Sequence, residues 1–456
     1  MSRFDGLVDW TPRSMEKVDT LIKARWVVPA APRADALADH AVAIRQGRIV
    51  AVLPASEAAA RFEAEEVLER PSHVLLPGLV NAHTHAAMTL LRGLADDLPL
   101  MDWLENHIWP AEQRWVGAEF VEHGTELAIA EMLLGGTTTF NDMYFFPDVT
   151  ARVAARAGMR AVVGMIVVRF PTSWASDGAE YLRKGLALRD EYKGHPLVSA
   201  AFAPHAPYTV ADEEFERIRR LADELEIPVH MHVHETAEEV ARQVALDGRR
   251  PLDRLAELGL VSPMLAAVHM TQLEDEEISR LAAAGASVIH CPESNLKLAS
   301  GFCPVARLLE AGVNVALGTD GAASNNDLDM VGEMRSAALL AKGVSGAADA
   351  VSAHDVLAMA TVNGARALGL GEETGSLEAG KWADVCCVDL ARPATWPVYD
   401  PVAQLVYAAT RDQVTDVWVA GRRAVSAGQL TRQDPQEIMA RAESWRDRIS
   451  RADGAS

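Results

Sequence analysis

The sequence predicts an α/β protein in which a parallel (β/α)8 barrel of the TIM type is combined with a small β-sandwich domain built from both chain ends. Short apolar strands alternate with amphipathic helices through the middle of the chain. Strand and turn patterns occur near both ends, and histidines gather where the central strands end. Because such barrels carry their functional groups at the carboxyl ends of the strands, the histidine positions agree with the strand pattern.

The central region supplies the barrel strands. Eight segments qualify, namely LVNAH, TTTFND, RAVVGMIVV, LVSAAFAP, PVHMHV, LAAVHM, ASVIH and VNVALG. Residues 212–226 carry apolar side chains at helical spacing before the fifth strand. Thr271 and Glu274 have the spacing of a capping box for a later helix, which Gly285 should end. This alternation over about 300 residues matches a closed barrel.

The two chain ends have a different pattern. TLIKARWVVP and HAVAIRQGRIVAVLP read as strands, and Gln46-Gly47 stands where a hairpin should turn. WADVCCVDL and VTDVWVAGRRAVSAGQL repeat this pattern near the carboxyl terminus. We therefore expect residues 1–76 to form an amino-terminal arm and half of the sandwich, 77–375 the catalytic barrel, and 376–456 the other half with a helix and tail.

Composition restricts the partners and the compartment. The net charge of −21 repels phosphate backbones and anionic lipid, so we expect neither nucleic acid nor membrane as a partner. MSRFDGLVDWTPRSMEK has no apolar signal core. The four cysteines form no CxxC pair, which disfavours a thiolate zinc site and a disulfide framework. These features predict a cytoplasmic protein.

Metal binding is the chemistry that the strand ends indicate. His83 and His85 are two residues apart at the end of a predicted strand, so their side chains point to the same side of it. More than half of the 14 histidines lie at barrel strand ends: His83, His85, His205, His230, His232, His234, His269 and His290. Asp320 follows the eighth strand in GTDGAASNN. His83, His85, one histidine of the fifth strand and Asp320 would complete a site that suits one divalent ion, zinc best of all. The HxxE spacing to Glu235 favours His232 as the fifth-strand ligand.

Five ordered motifs carry a family resemblance. PGLVNAHTHAAMTLLRGLADDLPLMDWL, HMHVHETAEE, AVHMTQL, HCPESNLKLASG and LGTDGAASNNDLDM resemble the amidohydrolase superfamily, and within it the branch of 5'-methylthioadenosine and S-adenosylhomocysteine deaminases. The resemblance covers nearly the whole chain. It implies a zinc-dependent aminohydrolase in which activated water attacks C6 of an adenine ring and ammonia leaves.

The resemblance also implies residue roles. His83, His85, His232 and Asp320 would bind the metal, Asp320 and His269 would orient or deprotonate the water, and Glu235 would protonate ring N1. The substrate residues would be Trp103, Glu112, His205 and Glu235, with Glu112 accepting hydrogen bonds from the ribose hydroxyls. Trp103 could instead be an ordinary core residue. Like the family, the protein would form a homo-oligomer.

One departure bears on the substrate. Family members that accept the homocysteinyl nucleoside hold its carboxylate with an arginine after the third strand. Here Met165 and Ile166 occupy that stretch, and Arg169 lies beyond it. Losing the guanidinium would weaken carboxylate binding, so we expect methylthioadenosine or adenosine to be preferred over S-adenosylhomocysteine.

Other readings stay open. The same ligands could serve a chlorotriazine or hydroxytriazine hydrolase or a guanine deaminase, and the barrel could bind metal or nucleoside without catalysis. His230, His234 and His290 could support the site or line it, and Ser294 and Asn295 could serve only the loop that contains them. The first dozen residues and the tail RADGAS could be disordered or could be arms onto a neighbour.

Overall fold

The computed structural model describes residues 15–31 and 35–453, and these residues form two eight-stranded sheets. The terminal sheet contains β1 Glu16–Val27, β2 Leu37–Arg45, β3 Arg48–Pro54, β4 Phe62–Pro77, β13 Val385–Asp389, β14 Val414–Val419, β15 Arg422–Ser426 and β16 Gln429–Leu430. The central sheet contains β5 Leu79–Thr84, β6 Thr137–Asp142, β7 Arg160–Val167, β8 Val198–Pro204, β9 Val229–Val233, β10 Leu265–His269, β11 Ser287–His290 and β12 Asn314–Leu317. The predicted amino-terminal arm lies outside the described residues, as do the last three residues of the tail.

Most helices lie between the central strands or after the last of them, whereas the first helix lies between β3 and β4 and the last two follow β13. The helices are α1 Ala55–Arg61, α2 Leu100–Trp103, α3 Trp109–Trp115, α4 Ala118–Leu134, α5 Pro147–Ala157, α6 Gly178–Glu191, α7 Asp212–Leu225, α8 Ala237–Asp247, α9 Pro251–Glu257, α10 Asp275–Ala284, α11 Pro292–Lys297, α12 Val305–Glu310, α13 Met330–Ser345, α14 Ala353–Met359, α15 Val362–Ala367, α16 Pro401–Tyr407 and α17 Pro435–Asp453. A π-helical turn, Leu104–Ile108, joins α2 to α3. None of the helices in the described part of the chain is both long and apolar enough to cross a membrane.

The terminal sheet joins the two chain ends. Its order is β16-β15-β14-β13-β4-β1-β2-β3, with β13 antiparallel to β4. One buried cluster contains Ile22 and Ile44 from the first half and Val385 and Trp418 from the second, so both halves share a core. The prediction that the two ends build one unit is therefore confirmed.

The hairpin between β2 and β3 turns where the sequence predicted. Gln46 and Gly47 connect the strands with φ angles of 51° and 77°. Two consecutive residues with positive φ make the type I′ turn that matches the twist of adjacent strands. Glycine at the second position adopts this conformation without the steric cost of a side chain.

The central sheet is a parallel barrel, as predicted. Its strands follow one another in chain order from β5 to β12. Backbone and side-chain hydrogen bonds link the last strand to the first: the Asp320 N–H donates to the His83 carbonyl at 3.0 Å, and the Thr319 N–H donates to Asn81 Oδ1 at 3.0 Å. This closure brings Asp320, which lies shortly after β12, next to His83 near the end of β5.

A buried ion pair ties the barrel to the terminal sheet. Arg160, at the start of β7, donates from Nε to Asp384 Oδ2 at 2.6 Å and from Nη2 to Oδ1 at 3.2 Å. The side chains are 4% and 0% exposed. This contact lies at the amino-terminal ends of the barrel strands and leaves the opposite face free for a site. The proposed domain limits at residues 76 and 375 stay a prediction.

One predicted helix cap is wrong. Helix α10 begins at Asp275 with Glu274 as its N-cap, and the Glu277 carboxylate accepts from the Glu274 N–H at 2.8 Å. The Thr271 hydroxyl lies before this helix and donates to the Glu235 carbonyl at 2.7 Å instead. Gly285 ends the helix with a φ of 68°, as predicted.

Candidate active site

Four donor atoms meet at the carboxyl ends of β5, β9 and β12. His83 Nε2 lies 3.2 Å from His232 Nε2 and 3.3 Å from Asp320 Oδ1. His85 Nε2 lies 3.2 Å from the same carboxylate oxygen. These separations allow one ion to contact all four side chains.

The second nitrogen of each imidazole has a partner that fixes the ring. His85 Nδ1 donates to the Met143 carbonyl at 2.5 Å, and His232 Nδ1 donates to the His205 carbonyl at 2.7 Å. Because a carbonyl only accepts, each of these rings is protonated on Nδ1, which leaves Nε2 as the nitrogen that a metal would bind. His83 Nδ1 lies 2.8 Å from His230 Nε2. Such outer partners orient metal-binding histidines.

Asp320 is held from both sides. Ser294 and Ser324 donate their hydroxyls to Oδ2 at 2.7 and 3.0 Å, and the Gly321 N–H donates to Oδ1 at 2.8 Å. Burial would raise the pKa of Asp320, but the hydrogen bonds with His83 and His85 outweigh it and hold the pKa well below its usual value. The carboxylate is therefore ionised at neutral pH.

The electrostatics of the cluster suit a cation. Burial lowers the pKa of His83 to about 4 and that of His232 well below its ordinary value. Burial would also lower the pKa of His85, but the hydrogen bond with Asp320 raises it to about 9. His83 and His232 are therefore neutral at pH 7, whereas His85 holds a proton toward Asp320 that a bound metal would displace. Three imidazoles and one carboxylate are a donor set that zinc prefers.

Glu235 and His269 lie beside these donors. Glu235 Oε2 is 3.7 Å from His269 Nε2, and the His269 ring stacks on His232 with centroids 5.4 Å apart. His269 Nδ1 lies 2.9 Å from Asn295 Oδ1. Burial raises the pKa of Glu235, so this carboxyl group is suited to hold a proton and release it to a bound ligand.

A cavity of about 700 Å³ opens from the donor atoms toward α2 and α3. Glu112 lines it and accepts from the Tyr144 hydroxyl at 2.7 Å. Burial raises the pKa of Glu112 to about 7. Trp103 lines the same cavity and is 5% exposed. Its indole N–H has no hydrogen-bond partner among the described residues, so it is free to donate to a ligand.

The fold, the motifs and a match to a family model together show the family to which this chain belongs. Residues 74–424 match the amidohydrolase family. The chain belongs to the amidohydrolase family. It is 51% identical to the 5-methylthioadenosine/S-adenosylhomocysteine deaminase of Teredinibacter turnerae over 432 residues, which are 95% of this chain and 98% of that protein.

Two solved structures share the fold of this amidohydrolase. A zinc-bound adenosine deaminase from Xanthomonas campestris has a TM-score of 0.95 and 56% identity, covering 96% of this chain and 100% of that one. Atrazine chlorohydrolase TrzN from Arthrobacter aurescens TC1, complexed with zinc, has a TM-score of 0.87 and 25% identity, covering 93% and 99%. The predicted barrel, enzyme class and zinc cofactor are thereby confirmed.

The structure brings the predicted site residues of the amidohydrolase together. His83 does not line the cavity but contacts the donors His232 and Asp320. The remaining predicted residues line the cavity of about 700 Å³: His85, Trp103, Glu112, His205, His232, Glu235, His269 and Asp320. Trp103 is both buried in the core and exposed to the cavity, so the two readings of this side chain are compatible.

Two of the histidines that the strand pattern grouped with the site neither line the cavity nor form a hydrogen bond with a donor side chain among the described residues. His234 shares a strand face with His230 and His232 in sequence, but its φ of 54° turns the chain. Its Nε2 accepts from the Leu252 N–H at 3.2 Å, outside the cavity. His290 is buried, and its carbonyl accepts from the Gly318 N–H at 3.0 Å.

Sequence reasoning missed several residues that hold the site. Asp142 accepts from the Ala86 N–H at 2.7 Å, which fixes the backbone next to His85. Tyr144 contacts Glu112. Ser294 and Asn295, which could by sequence have served only a loop, lie in helix α11 and contact Asp320 and His269. Their positions after barrel strands were the only signal available, because each partner is distant in sequence.

Proposed function

We propose that this amidohydrolase removes the 6-amino group of adenosine-type nucleosides by hydrolysis, with methylthioadenosine or adenosine preferred over S-adenosylhomocysteine. The convergence of His83, His85, His232 and Asp320 beside the protonatable Glu235 carries this proposal. Glu112, which lines the same cavity, adds an acceptor suited to a sugar.

His83, His85, His232 and Asp320 would hold the zinc ion. Three imidazole nitrogens with one carboxylate oxygen fit its ligand preferences. When bound, zinc acidifies water and so supplies a nucleophile at neutral pH. Hydrogen bonds to residues behind the donors, such as His85 to the Met143 carbonyl and Ser294 to Asp320, hold the donor atoms toward one position.

The neighbouring side chains would move the protons. As water oxygen bonds to C6, Asp320 and His269 take one water proton and pass it to the 6-amino group, while Glu235 gives its proton to ring N1. The C6–N6 bond then breaks and ammonia leaves. Glu235 recovers a proton from the new C6 hydroxyl, which becomes the carbonyl of the inosine-type product. Because burial raises the pKa of Glu235, the acid form needed for the first transfer is favoured.

Glu112 would bind the ribose. A carboxylate accepts two hydrogen bonds, which matches the vicinal 2'- and 3'-hydroxyls. The Tyr144 hydroxyl occupies only one lone pair of Oε1, so acceptor sites remain for the sugar. Trp103 and His205 lie in the same cavity and would contact the nucleoside between the ribose and the donor atoms.

The cavity wall supports the preference at the 5' position. Ile166 and Val168 line the cavity, whereas Met165 is fully buried and packs toward α6 near Gly185. No arginine or lysine from the described residues lines this cavity. Arg169 lines an adjoining cavity instead. An apolar thioether suits such a wall, while a homocysteinyl carboxylate would lack a cationic partner.

An ammonia-release screen tests the proposal. Purified enzyme of known zinc content is assayed with adenosine, methylthioadenosine, S-adenosylhomocysteine, guanine and an aminotriazine, and kcat/KM is compared. We expect methylthioadenosine or adenosine to give the highest value. A higher kcat/KM for S-adenosylhomocysteine would contradict the proposed preference. Turnover of guanine or the triazine, with none of the adenosine-type nucleosides, would contradict the proposed reaction.

Triazine hydrolysis is the second candidate, and the likeness to TrzN favours it specifically. The same donor atoms would serve a chloride or amine leaving group on a triazine ring. The Glu112→Gln variant distinguishes the two candidates. A triazine has no ribose, so its turnover should not depend on the Glu112 carboxylate. A zinc-loaded protein that releases no ammonia from any purine, and neither chloride nor an amine from any triazine, would instead favour a binding protein.

A further inference from the structure

The backbone that carries Glu235 is held by a second carboxyl group. Glu239 Oε2 accepts from the Glu235 N–H at 2.7 Å, and Oε1 accepts from the His234 N–H at 3.3 Å. The Thr236 hydroxyl in turn accepts from the Glu239 N–H at 3.1 Å. Both donors therefore depend on the two oxygens of one side chain.

A hydroxyl holds the carbonyl of the same residue. Thr271 Oγ1 lies 2.7 Å from the Glu235 carbonyl, its nearest acceptor. The Thr271 N–H also donates to the His234 carbonyl at 3.0 Å. Glu239 and Thr271 thus fix the N–H and the C=O of Glu235 from opposite sides, and we call this arrangement the Glu235 clamp.

The clamp acts where the backbone is strained. His234 has a φ of 54°, a left-handed conformation that costs about 1 to 3 kcal/mol for such a residue. Released from the clamp, residues 234 and 235 would relax toward extended geometry. Successive side chains of an extended strand point to opposite faces, so the Glu235 carboxyl group would turn away from His269.

We propose that Glu239 and Thr271 are positioning residues that aim the Glu235 carboxyl group at the ring nitrogen of the substrate. This inference rests on the proposed deaminase function, because it assigns Glu235 the proton transfer. Neither residue needs to touch the substrate. Glu239 and Glu235 both line the cavity that also contains Arg169. Glu239 does not line the cavity that holds the metal donors.

Glu239→Gln tests the clamp with little change in size. A glutamine can accept from one N–H, but its amide nitrogen then faces the other, so one donor loses its partner. Thr271→Val removes the hydroxyl and retains the shape. Glu238→Gln is the matched control, since Glu238 is 54% exposed and pairs only with Arg242 at the surface.

We expect kcat for adenosine to fall about 10- to 100-fold in E239Q and T271V, as for other residues that orient catalytic groups, with KM within about twofold and zinc content unchanged. The E238Q control should match wild type. Affinity for purine riboside, which takes up water at C6 only with protonation of N1, should fall with kcat. Affinity for 1-deazaadenosine, which has no N1, should not.

Amide hydrogen exchange gives a readout that does not depend on turnover. Exchange at residues 234 and 235 should be faster in E239Q than in E238Q. Equal kcat and equal exchange in these two variants would overturn the clamp, even if wild type deaminates adenosine. If wild type deaminates no adenine nucleoside, the proposed function fails, and the exchange comparison still decides whether the clamp exists.

Discussion

Replacing Glu112 with glutamine should weaken nucleoside turnover through the ribose. The carboxylate can accept from both vicinal hydroxyls, whereas glutamine offers one acceptor oxygen. A hydrogen bond to a charged group contributes about 1.5 to 3 kcal/mol, so the loss of one predicts a fall in kcat/KM of roughly 10- to 100-fold. Zinc content should not change, since Glu112 contacts none of the four donor atoms.

The pH dependence of KM should identify the same group. Burial raises the pKa of Glu112 to about 7, although the Tyr144 hydrogen bond opposes this. Only the ionised carboxylate accepts from both hydroxyls, so binding strengthens as pH rises through this value. Between pH 6 and pH 8, KM for adenosine should fall roughly tenfold. The glutamine variant should show no such change.

Two comparisons would refute this reasoning about Glu112. Glu105 lines the same cavity on the same helical segment and is exposed, so Glu105→Gln makes the same charge change and should have little effect. 2',3'-Dideoxyadenosine lacks both hydroxyls, and its kcat/KM should be equal in wild type and E112Q. If E112Q loses as much with the dideoxy substrate, or nothing with adenosine, Glu112 does not bind the ribose.

Four further substitutions test the metal site, the 5' preference and the fold. His232→Ala should lower zinc content measured by plasma emission, whereas Glu235→Gln should retain zinc and lose about 10² to 10⁴ in kcat; loss of zinc in both would contradict the assigned roles. Ile166→Arg should raise kcat/KM for S-adenosylhomocysteine relative to methylthioadenosine about tenfold, and an unchanged ratio would place the 5' group elsewhere. Asp384→Asn should lower the free energy of unfolding in guanidinium by about 3 to 5 kcal/mol, because it leaves the Arg160 charge buried; a loss below about 1 kcal/mol would contradict this.

The fold could be predicted because its signals are local. The strand TTTFND has the same limits in sequence and structure, β6 Thr137–Asp142. It starts after Gly135-Gly136 with three threonines and a phenylalanine, which favour strands, and it is buried on both faces. The pairing of β4 with β13 is different. Residues 300 apart carry no local signal of register, so only the shared pattern of the two chain ends indicated that they meet.

The metal donors could be predicted because they lie at the carboxyl ends of strands or within three residues after them. The contacts that orient them could not be predicted. Tyr144 and Glu112 are 32 residues apart, and Asn295 and His269 are 26 apart. Each pair meets only because successive barrel strands end at the same face. That the protein is cytoplasmic and forms a homo-oligomer stays a prediction.

Backbone conformation explains where the strand-face argument failed. His234, His269, Met270 and Asp320 all have φ between 50° and 74°, and each lies where a barrel strand ends. Left-handed residues break the alternation on which sequence reasoning depends, so His234 leaves the cavity although it shares a strand face with His232. Residues in this conformation persist only where their surroundings hold them. At His234 those surroundings are the Glu239 carboxyl group and the peptide of Thr271, so the strain that hid this geometry from the sequence also makes the Glu235 clamp necessary.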